Sequence, residues 1–567
     1  MDPVVLADVL EIRPRCVGRT GDARDARQQE DGQSVVDTQD SHARPTGTVT
    51  GPVTPCHPFD GCATVRDRHQ QEDGMSTEGV AGGGGRPRAR TGAGEVEGRT
   101  GADGISVFLG IPYAAPPVGA LRFAPPAPPA AWDGVREAVA FGPTAPKVPY
   151  PPAFAALLTD PVIPGDGCLN VNVWTPDPTP GAGLPVMVWI HGGAHTRGSS
   201  AVPVYDGAAF ARDGVVLVSF NFRLGVLGYG LFPDAPANRG MLDQIAALEW
   251  VRDNVGAFGG DPARVTLFGE SAGAISIGAL LAAPRAAGLF HRAALQSGAP
   301  EALPRARVRA IVRRMASLLK VEATAGAFTT TSLPDLLAAQ AAVLRRSGPL
   351  LGGPAFGLVL DPDSLPVDPL DALTADTDPA SDEIPLLFGW TTEEYRLWLA
   401  PTGGMRLLDR MGPVAVALAR ARTGKDRAAV QELRDALPGA GPAELAGQLF
   451  TDRLLRDPLR RLAAARRTAP SFLYEFAWCS GVPELGACHA LELGFVFDTL
   501  SVPEAASLAG PAAPQALADE MHAAWVRFAT TGSPGWAPWN GDGPPKVFGG
   551  PDHERTEAPA ATRPVLP

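Results

Sequence analysis

The sequence lacks the features of a secreted or membrane-spanning chain. Its 567 residues include six widely spaced cysteines, which form no dense disulfide framework. No stretch approaches the roughly 18 consecutive apolar residues that a membrane-spanning helix needs. Neither Met1 nor Met75 opens a basic segment that leads into an apolar run. We therefore expect no signal peptide, no membrane span and a cytoplasmic location.

Basic charge is also scarce. The chain has 49 Lys and Arg against 61 Asp and Glu, which gives a formal net charge of -12. Polyanionic partners are disfavoured because like charges repel, so no nucleic-acid partner is expected. Apolar residues make up 45% of the chain, as in a globular protein with a buried core. The Ala, Arg, Gly and Pro bias favours a GC-rich, bacterial source.

Residues 1–85 differ from the remainder of the chain. They are polar, show neither strand nor helix periodicity, and end in four consecutive glycines at 82–85. Such a segment cannot bury enough apolar surface to offset the entropy lost on ordering. We predict a disordered leader or gene-model extension over residues 1–85, with Met75 as an alternative start. One globular domain is predicted over residues 86–567.

Short apolar runs alternate with helical segments from residue 86 onward. The runs are apolar on both faces, as expected of strands covered by helices, and lie at residues 186–190, 215–220, 265–268, 386–388 and 472–478. Residues 241–258 have apolar positions at helical spacing. We predict an α/β fold with a mostly parallel central sheet flanked by helices. Residues 303–350 and 404–466 are predicted to be helical cap or flanking insertions.

A serine lies between a predicted strand and a predicted helix. The strand at 265–268 leads directly into Gly269-Glu270-Ser271-Ala272-Gly273, and small apolar residues at helical spacing follow. A turn this tight has no room for side chains two positions before and after the serine, which explains glycine at both. We therefore predict Ser271 as a nucleophile on a strained elbow. The alternative is an ordinary glycine turn.

A nucleophilic serine needs a base and also donors for the oxyanion that forms during attack. Residues 191–194 are His-Gly-Gly-Ala, directly after the strand at 186–190, and their small side chains let backbone N–H groups approach a substrate oxygen. We predict an oxyanion hole formed by Gly193, Ala194 and Ala272; a plain glycine turn is the alternative. The residue pattern alone does not choose the base among the nine histidines.

From residue 86 onward the chain resembles the type-B carboxylesterase family of the α/β-hydrolase superfamily. The matching motifs follow the order found in the family and include residues 108–113 (Phe-Leu-Gly-Ile-Pro-Tyr), 168–174 (Cys-Leu-Asn-Val-Asn-Val-Trp), 221–225 (Asn-Phe-Arg-Leu-Gly) and 258–262 (Phe-Gly-Gly-Asp-Pro). The serine motif comes next. The resemblance implies an α/β-hydrolase fold and a serine carboxylesterase.

The same resemblance implies the acid and the base. Residues 389–394 match the family's acid segment, which places the acid at Glu394 and leaves Glu393 as a solvated neighbour. Residues 486–493 match the segment of the base, which makes His489 the base. The order Ser, Glu, His along the chain is the one expected of α/β-hydrolases. The implied catalytic triad is Ser271, Glu394 and His489.

The implied reaction is hydrolysis of neutral carboxylic esters with short to medium acyl chains. It proceeds through an acyl-enzyme that water then hydrolyses, with no metal or organic cofactor. The cysteines and histidines of the leader (Cys56, His57, Cys62 and His69) fit no common zinc spacing, so no metal is expected there. The alternatives are an acyltransferase or amidase with the same triad and, more remotely, a non-catalytic binding or adhesion protein. The sequence does not decide between a monomer and a homodimer.

Several positions depart from the family pattern. Ala145 stands where animal members have a cysteine paired with the one matching Cys168, so that disulfide cannot form. Cholinesterase-like members hold quaternary ammonium against aromatic rings, but residues 145–168 contain no tryptophan and Leu397 occupies the third position after the acid. Choline esters are therefore disfavoured. His195 replaces the aromatic residue usual after the oxyanion loop.

Overall fold

The computed structural model describes residues 85–101, 103–345, 347, 353–375, 383–541 and 543–550. Apart from Gly85, the predicted leader over residues 1–85 lies outside these ranges, as do its Cys56, His57, Cys62 and His69. The domain boundary after residue 85 stays a prediction.

Two sheets are formed by the described residues, one of ten strands and one of three. The strands are β1 (Arg88–Thr91), β2 (Gly94–Glu97), β3 (Arg99–Thr100), β4 (Ser106–Pro112), β5 (Val135–Glu137), β6 (Asn170–Thr175), β7 (Leu184–Ile190), β8 (Val216–Phe220), β9 (Gly260–Glu270), β10 (Arg292–Gln296), β11 (Leu386–Thr391), β12 (Ser471–Phe476) and β13 (Lys546–Phe548). The large sheet has the order β13-β12-β11-β10-β9-β7-β8-β6-β4-β3, and the small one β1-β2-β5.

The large sheet is mainly parallel. Every neighbouring pair from β8 through β7, β9, β10, β11 and β12 to β13 is parallel. The pairs β8–β6, β6–β4 and β4–β3 are antiparallel and extend the sheet on the other side. The five apolar runs predicted as strands all lie in the parallel part, as β7, β8, β9, β11 and β12, so the predicted fold class is confirmed.

Helices cover both faces of this sheet. They are α1 (Pro152–Ala155), α2 (Ala208–Arg212), α3 (Gly225–Tyr229), α4 (Arg239–Asn254), α5 (Ala272–Ala282), α6 (Arg305–Leu319), α7 (Ala325–Thr330), α8 (Leu333–Leu344), α9 (Pro369–Thr374), α10 (Arg396–Leu399), α11 (Gly404–Met411), α12 (Pro413–Thr423), α13 (Arg427–Ala436), α14 (Pro442–Thr451), α15 (Asp457–Ala465), α16 (Leu493–Val496), α17 (Pro503–Ala509) and α18 (Gln515–Thr531). The predicted helical insertions correspond to α6–α8 and α11–α15. None of the described helices combines the length and apolar character needed to cross a membrane.

Alternation along β7 shows how the sheet joins two cores. Val186, Val188 and Ile190 belong to one buried apolar cluster, to which α4 and α5 contribute, whereas Met187 and Trp189 belong to the other, to which α18 contributes. Successive side chains of a strand point to opposite faces, so a strand between two helix layers must be apolar throughout. Burial of each such side chain contributes about 1.5–3 kcal/mol. The core therefore holds the carboxyl ends of the parallel strands rigidly in place.

Candidate active site

Ser271 lies between the carboxyl end of β9 and the first residue of α5. Its backbone has φ 55° and ψ −121°, a conformation that non-glycine residues rarely adopt and that costs on the order of 1–3 kcal/mol. The N–H of Ser271 donates to the carbonyl of Gln296 at 2.8 Å, which ties the turn to the end of β10. The strained strand-to-helix turn has the form predicted for a nucleophile elbow.

Steric crowding explains the two glycines of the elbow. A Cβ on Gly269 would lie 2.7 Å from the carbonyl oxygen of Ile190, and one on Gly273 only 2.0 Å from the same atom. Neighbouring β7 thus approaches the turn too closely for any side chain at either position. Glycine is required here for space, since neither residue has a positive φ.

Glu394 and His489 meet although they are separated by 95 positions in sequence. The Nδ1 of His489 and the Oε2 of Glu394 are 2.5 Å apart, and both side chains are buried. The other oxygen of Glu394 accepts the N–H of Thr391, the last residue of β11, at 2.7 Å. This arrangement places a carboxylate behind the imidazole, where it fixes Nδ1 as the donor and leaves Nε2 for chemistry.

The third contact of the predicted triad is absent from this conformation. The Nε2 of His489 lies 2.8 Å from Oε1 of Glu270, the residue directly before Ser271. Among the described residues no hydrogen bond joins Ser271 to His489. Burial lowers the pKa of His489, but the Glu270 and Glu394 carboxylates outweigh it, so this pKa lies well above its usual range. The imidazole therefore lies between two carboxylates, and both favour its protonated form.

A buried polar network lies behind this ion cluster. Glu492 accepts a hydrogen bond from the amide of Gln296 at 3.2 Å, and the amide oxygen of Gln296 accepts the indole N–H of Trp525 at 3.0 Å. Burial, followed by the charges of Glu270 and Glu394, raises the pKa of Glu492 to about 8. Glu492 is thus mainly protonated at neutral pH, which limits the negative charge that accumulates around His489.

The predicted oxyanion loop lies beside the elbow. A Cβ on Gly192 would be 3.3 Å from the Cβ of Ser271 and 2.6 Å from a carboxylate oxygen of Glu270. The next two residues, Gly193 and Ala194, have φ values of 103° and 54°. In the part of the chain that the structure describes, no hydrogen bond takes up the N–H groups of Gly193, Ala194 or Ala272. The loop after β7 and the start of α5 thus carry three backbone donors without a partner among the described residues.

The prediction that Glu393 is a solvated neighbour is wrong. Its side chain is only 1% exposed and forms an ion pair with Arg396 at 2.8 Å. Its second oxygen accepts the N–H of Ala487, two residues before His489. Glu393 therefore anchors the loop of the predicted base, while Glu394 contacts the base itself.

Sequence analysis missed two side chains that touch the imidazole of His489. One is Glu270, which stands in the serine motif itself. The other is Trp398, whose ring centroid lies 4.9 Å from that of His489. Trp398 follows Glu394 by four positions, about one helical turn, and this spacing was the available signal. Its indole packs against the imidazole with the two ring planes inclined at 43°.

His191 packs beside the oxyanion loop, as expected. Its ring is stacked on Phe222 with centroids 4.5 Å apart, and its Nδ1 is 2.9 Å from the carbonyl oxygen of Gly192. Burial lowers the pKa of His191 to about 3, so the ring is neutral and is no rival to His489 as the base. Among the described residues, no group of three or more His, Cys, Asp or Glu side chains has the arrangement of a metal site.

A mainly parallel sheet with a strained serine after a central strand and a carboxylate-backed histidine defines an α/β-hydrolase. The model of the Carboxylesterase family matches residues 86–544, and the chain belongs to this family. It is a serine hydrolase that acts on carboxylic esters.

Individual relatives agree with this assignment. The chain is 37% identical to the para-nitrobenzyl esterase of Bacillus subtilis (strain 168) over 452 residues, which cover 78% of the chain and 89% of that protein. It is 36% identical to the phenmedipham hydrolase of Pseudarthrobacter oxydans, covering 79% and 91%. A solved carboxylesterase of Geobacillus stearothermophilus superposes with a TM-score of 0.68 at 36% identity, covering 82% of the chain and 93% of that structure.

Proposed function

We propose that Ser271 is the nucleophile, His489 the general base and Glu394 the acid that orients the base. The observation that carries this proposal is the 2.5 Å contact between His489 and Glu394 beside the strained serine turn. Nearness in space of residues so distant in sequence is what a triad requires. The reaction is acyl transfer to water in two steps.

Attack on the ester requires a local movement of the imidazole. In the resting arrangement Nε2 contacts Glu270; for catalysis, neutral His489 turns Nε2 toward Oγ of the adjacent Ser271. The imidazole then accepts the hydroxyl proton as Oγ attacks the carbonyl carbon, and it later protonates the leaving alcohol. Water repeats the sequence on the acyl-enzyme. Glu394 stabilises the imidazolium in both steps.

We further propose that Gly193, Ala194 and Ala272 donate their N–H groups to the tetrahedral oxyanion. The first two come from the loop after β7 and the third from the first residue of α5, so the donors converge from two elements. Removal of one such donor typically lowers turnover about 100- to 1000-fold.

Neutral esters with short to medium acyl chains are the proposed substrates. The carboxylates of Glu270 and Glu394 flank the imidazole, so an anionic substrate would meet electrostatic repulsion at the reacting centre. One relative is named for a para-nitrobenzyl ester, and this is the kind of neutral ester we propose. A para-nitrophenyl ester series from acetate to palmitate measures the acyl preference.

Choline esters remain disfavoured in this proposal. The aromatic ring of Tyr150, within residues 145–168, already has the guanidinium carbon of Arg197 5.2 Å from its centroid. A ring occupied by one cation is a poor site for another. Trp398 offers an aromatic surface that the sequence analysis had not considered, so a comparison of butyrylcholine with a neutral butyrate ester is the direct test.

Replacement of the serine tests the assignment. Ser271→Ala should lower hydrolysis of para-nitrophenyl acetate by on the order of 10⁶-fold, and phenylmethylsulfonyl fluoride should inactivate only the unmodified enzyme. Ser507→Ala is the matched control, because this exposed helical serine bonds only to the carbonyl of Pro503. Full turnover by Ser271→Ala would refute the triad. Amide substrates and added alcohol acceptors, assayed in parallel, distinguish an amidase or acyltransferase.

A cytoplasmic location in a bacterium is also proposed. Cys168 and Cys488 are buried outside disulfides, and Ala145 removes the pairing partner known from animal relatives. Thiols persist in a reducing compartment. Fractionation of the native host with an antibody to the chain tests the location.

A further inference from the structure

His195, the residue after Ala194 in the oxyanion loop, is bonded to the helix that follows the nucleophile. Its ring is buried, and Nε2 lies 3.0 Å from Oγ of Ser276 in α5. Ser276 donates its own hydroxyl proton to the carbonyl of Ala272 at 2.9 Å. With the hydroxyl proton of Ser276 assigned to the bond with Ala272, Nε2 is assigned as the donor in the His195–Ser276 bond. The contact therefore fixes the tautomer of His195.

Other contacts hold the same ring in place. The amide nitrogen of Gln244 donates to the second lone pair of Ser276 Oγ at 3.2 Å. The carbonyl of His195 accepts the N–H of Gly225 at 2.7 Å, and its ring packs on Tyr229 with centroids 4.5 Å apart. Burial lowers the pKa of His195 to about 4, so the ring is neutral at working pH. His195 is thus a fixed hydrogen-bond donor and no second base.

The backbone here needs such support. Ala194 and His195 have φ values of 54° and 56°, two consecutive non-glycine residues in the left-handed region. L-residues avoid this region because Cβ crowds the backbone, so the conformation persists only when its surroundings hold it. Without the ring contact, relaxation of the two residues would turn the adjacent N–H groups away from Ser271.

We propose that His195 is a positioning residue for the oxyanion hole. Through Ser276 it joins the loop that carries the N–H groups of Gly193 and Ala194 to the helix terminus that carries the N–H of Ala272. The proposal rests on the oxyanion role proposed above for these three groups. His195 touches neither the substrate nor the reacting atoms.

A double-mutant cycle tests the bridge. His195→Phe keeps an aromatic ring against Tyr229 but removes the donor, and Ser276→Ala removes the acceptor. Each should lower kcat for para-nitrophenyl acetate about 10- to 100-fold, less than the loss of a whole donor, while KM changes less than about threefold. Affinity for a trifluoromethyl ketone, which binds the serine as an oxyanion adduct, should fall in proportion to kcat. The double variant should have about the kcat of the less active single variant, because both substitutions break the same His195–Ser276 bond.

The controls separate this bridge from general damage. Ser507→Ala removes a matched bond from a helical hydroxyl to the carbonyl four residues earlier and should leave kcat unchanged. His195→Gln returns a donor near the position of Nε2 and should restore part of kcat. Two results would overturn the proposal, provided that Ser271→Ala is inactive on the same ester. One is a loss of kcat in the double variant equal to the product of the two single losses. The other is an unchanged kcat in His195→Phe. Activity independent of Ser271 would count instead against the proposed function. If His195→Phe does not fold, the kcat of Ser276→Ala and its affinity for the trifluoromethyl ketone test the proposal instead.

Discussion

At the scale of single residues, the environment of His489 determines when this proposed base can act. Its two ring nitrogens contact the carboxylates of Glu394 and Glu270 at 2.5 and 2.8 Å. Both contacts favour the imidazolium, whereas catalysis begins from the neutral ring. The pair with Glu394 also aligns the base, but the contact with Glu270 competes with Ser271 for Nε2. We therefore expect Glu270 to raise the pH at which the enzyme becomes active.

Glu270→Gln should shift the pH dependence of kcat/KM. In the unmodified enzyme the rising limb should lie above the usual imidazole pKa of about 6.5, because both carboxylates hold the proton on His489. Removal of one negative charge lowers that pKa, so the limb should move toward lower pH. Hydrolysis of para-nitrophenyl acetate from about pH 5 to about pH 9 measures the shift. Glu137→Gln, at an exposed position, is the charge-matched control. A rising limb at the same pH in the unmodified enzyme and both variants would contradict an effect of Glu270 on His489.

The adjacent glutamates should respond differently to the same substitution. Glu394→Gln removes the carboxylate that orients His489, and kcat should fall by roughly 10³- to 10⁴-fold. Glu393→Gln breaks the buried ion pair with Arg396 and should cost about 1–3 kcal/mol of unfolding free energy while kcat stays within about tenfold. Urea unfolding and steady-state kinetics of both variants give the comparison. The reverse pattern would assign the acid to Glu393.

At the scale of secondary-structure elements, the elbow depends on the close approach of β7 to the start of α5. Gly273→Ala would place a methyl group against the carbonyl of Ile190, so it should cost several kcal/mol, as large steric changes in packed interiors do. Little reactive serine should remain, as titration with an organophosphate measures. Gly256→Ala is the matched control, because its Cβ would meet no atom within 4 Å. Equal stability of the two variants would show that the elbow tolerates a side chain.

The strands predicted from the sequence all have both faces buried. The run at 186–190 in β7 is uninterrupted in apolar residues and hence recognisable. The strand β6 was matched as a motif but not predicted as a strand, because Asn170 and Asn172 interrupt its apolar pattern. Their amides are bonded, that of Asn170 to the carbonyl of Pro143 at 2.8 Å and that of Asn172 to Ser200 at 3.0 Å. These partners lie far away in sequence, so no local pattern indicates that a buried asparagine is satisfied.

Within the active site, too, contacts between residues distant in sequence could not be predicted from local patterns. A strand followed by Gly-x-Ser-x-Gly predicted the turn at Ser271, since the steric demand is local. The choice of His489 and Glu394 needed the family resemblance, because their contact spans the fold. The contact of His489 with Glu270 was not predictable at all, since it depends on which of several carboxylates the imidazole faces after folding.

At the scale of the whole molecule, the contacts of Ser271, Glu394 and His489 all lie within the described residues of 85–550. The family match likewise begins at residue 86. We therefore expect the segment before Met75 to be dispensable. The carboxyl-terminal end of the described chain is expected to be required for stability, because β13 pairs in parallel with β12 and buries Phe548 in the core.

Two truncations test this asymmetry. A chain that begins at Met75 should match the full chain in thermal midpoint and, within about twofold, in kcat/KM, because no contact of the proposed triad is lost. A chain that ends at residue 545 should melt at least about 2–4 °C lower, since loss of the Phe548 side chain alone removes on the order of 3–5 kcal/mol of core packing. Differential scanning calorimetry and ester hydrolysis measure both. A lower midpoint for the chain that begins at Met75 would place residues 1–74 within the folded unit and overturn the predicted domain boundary.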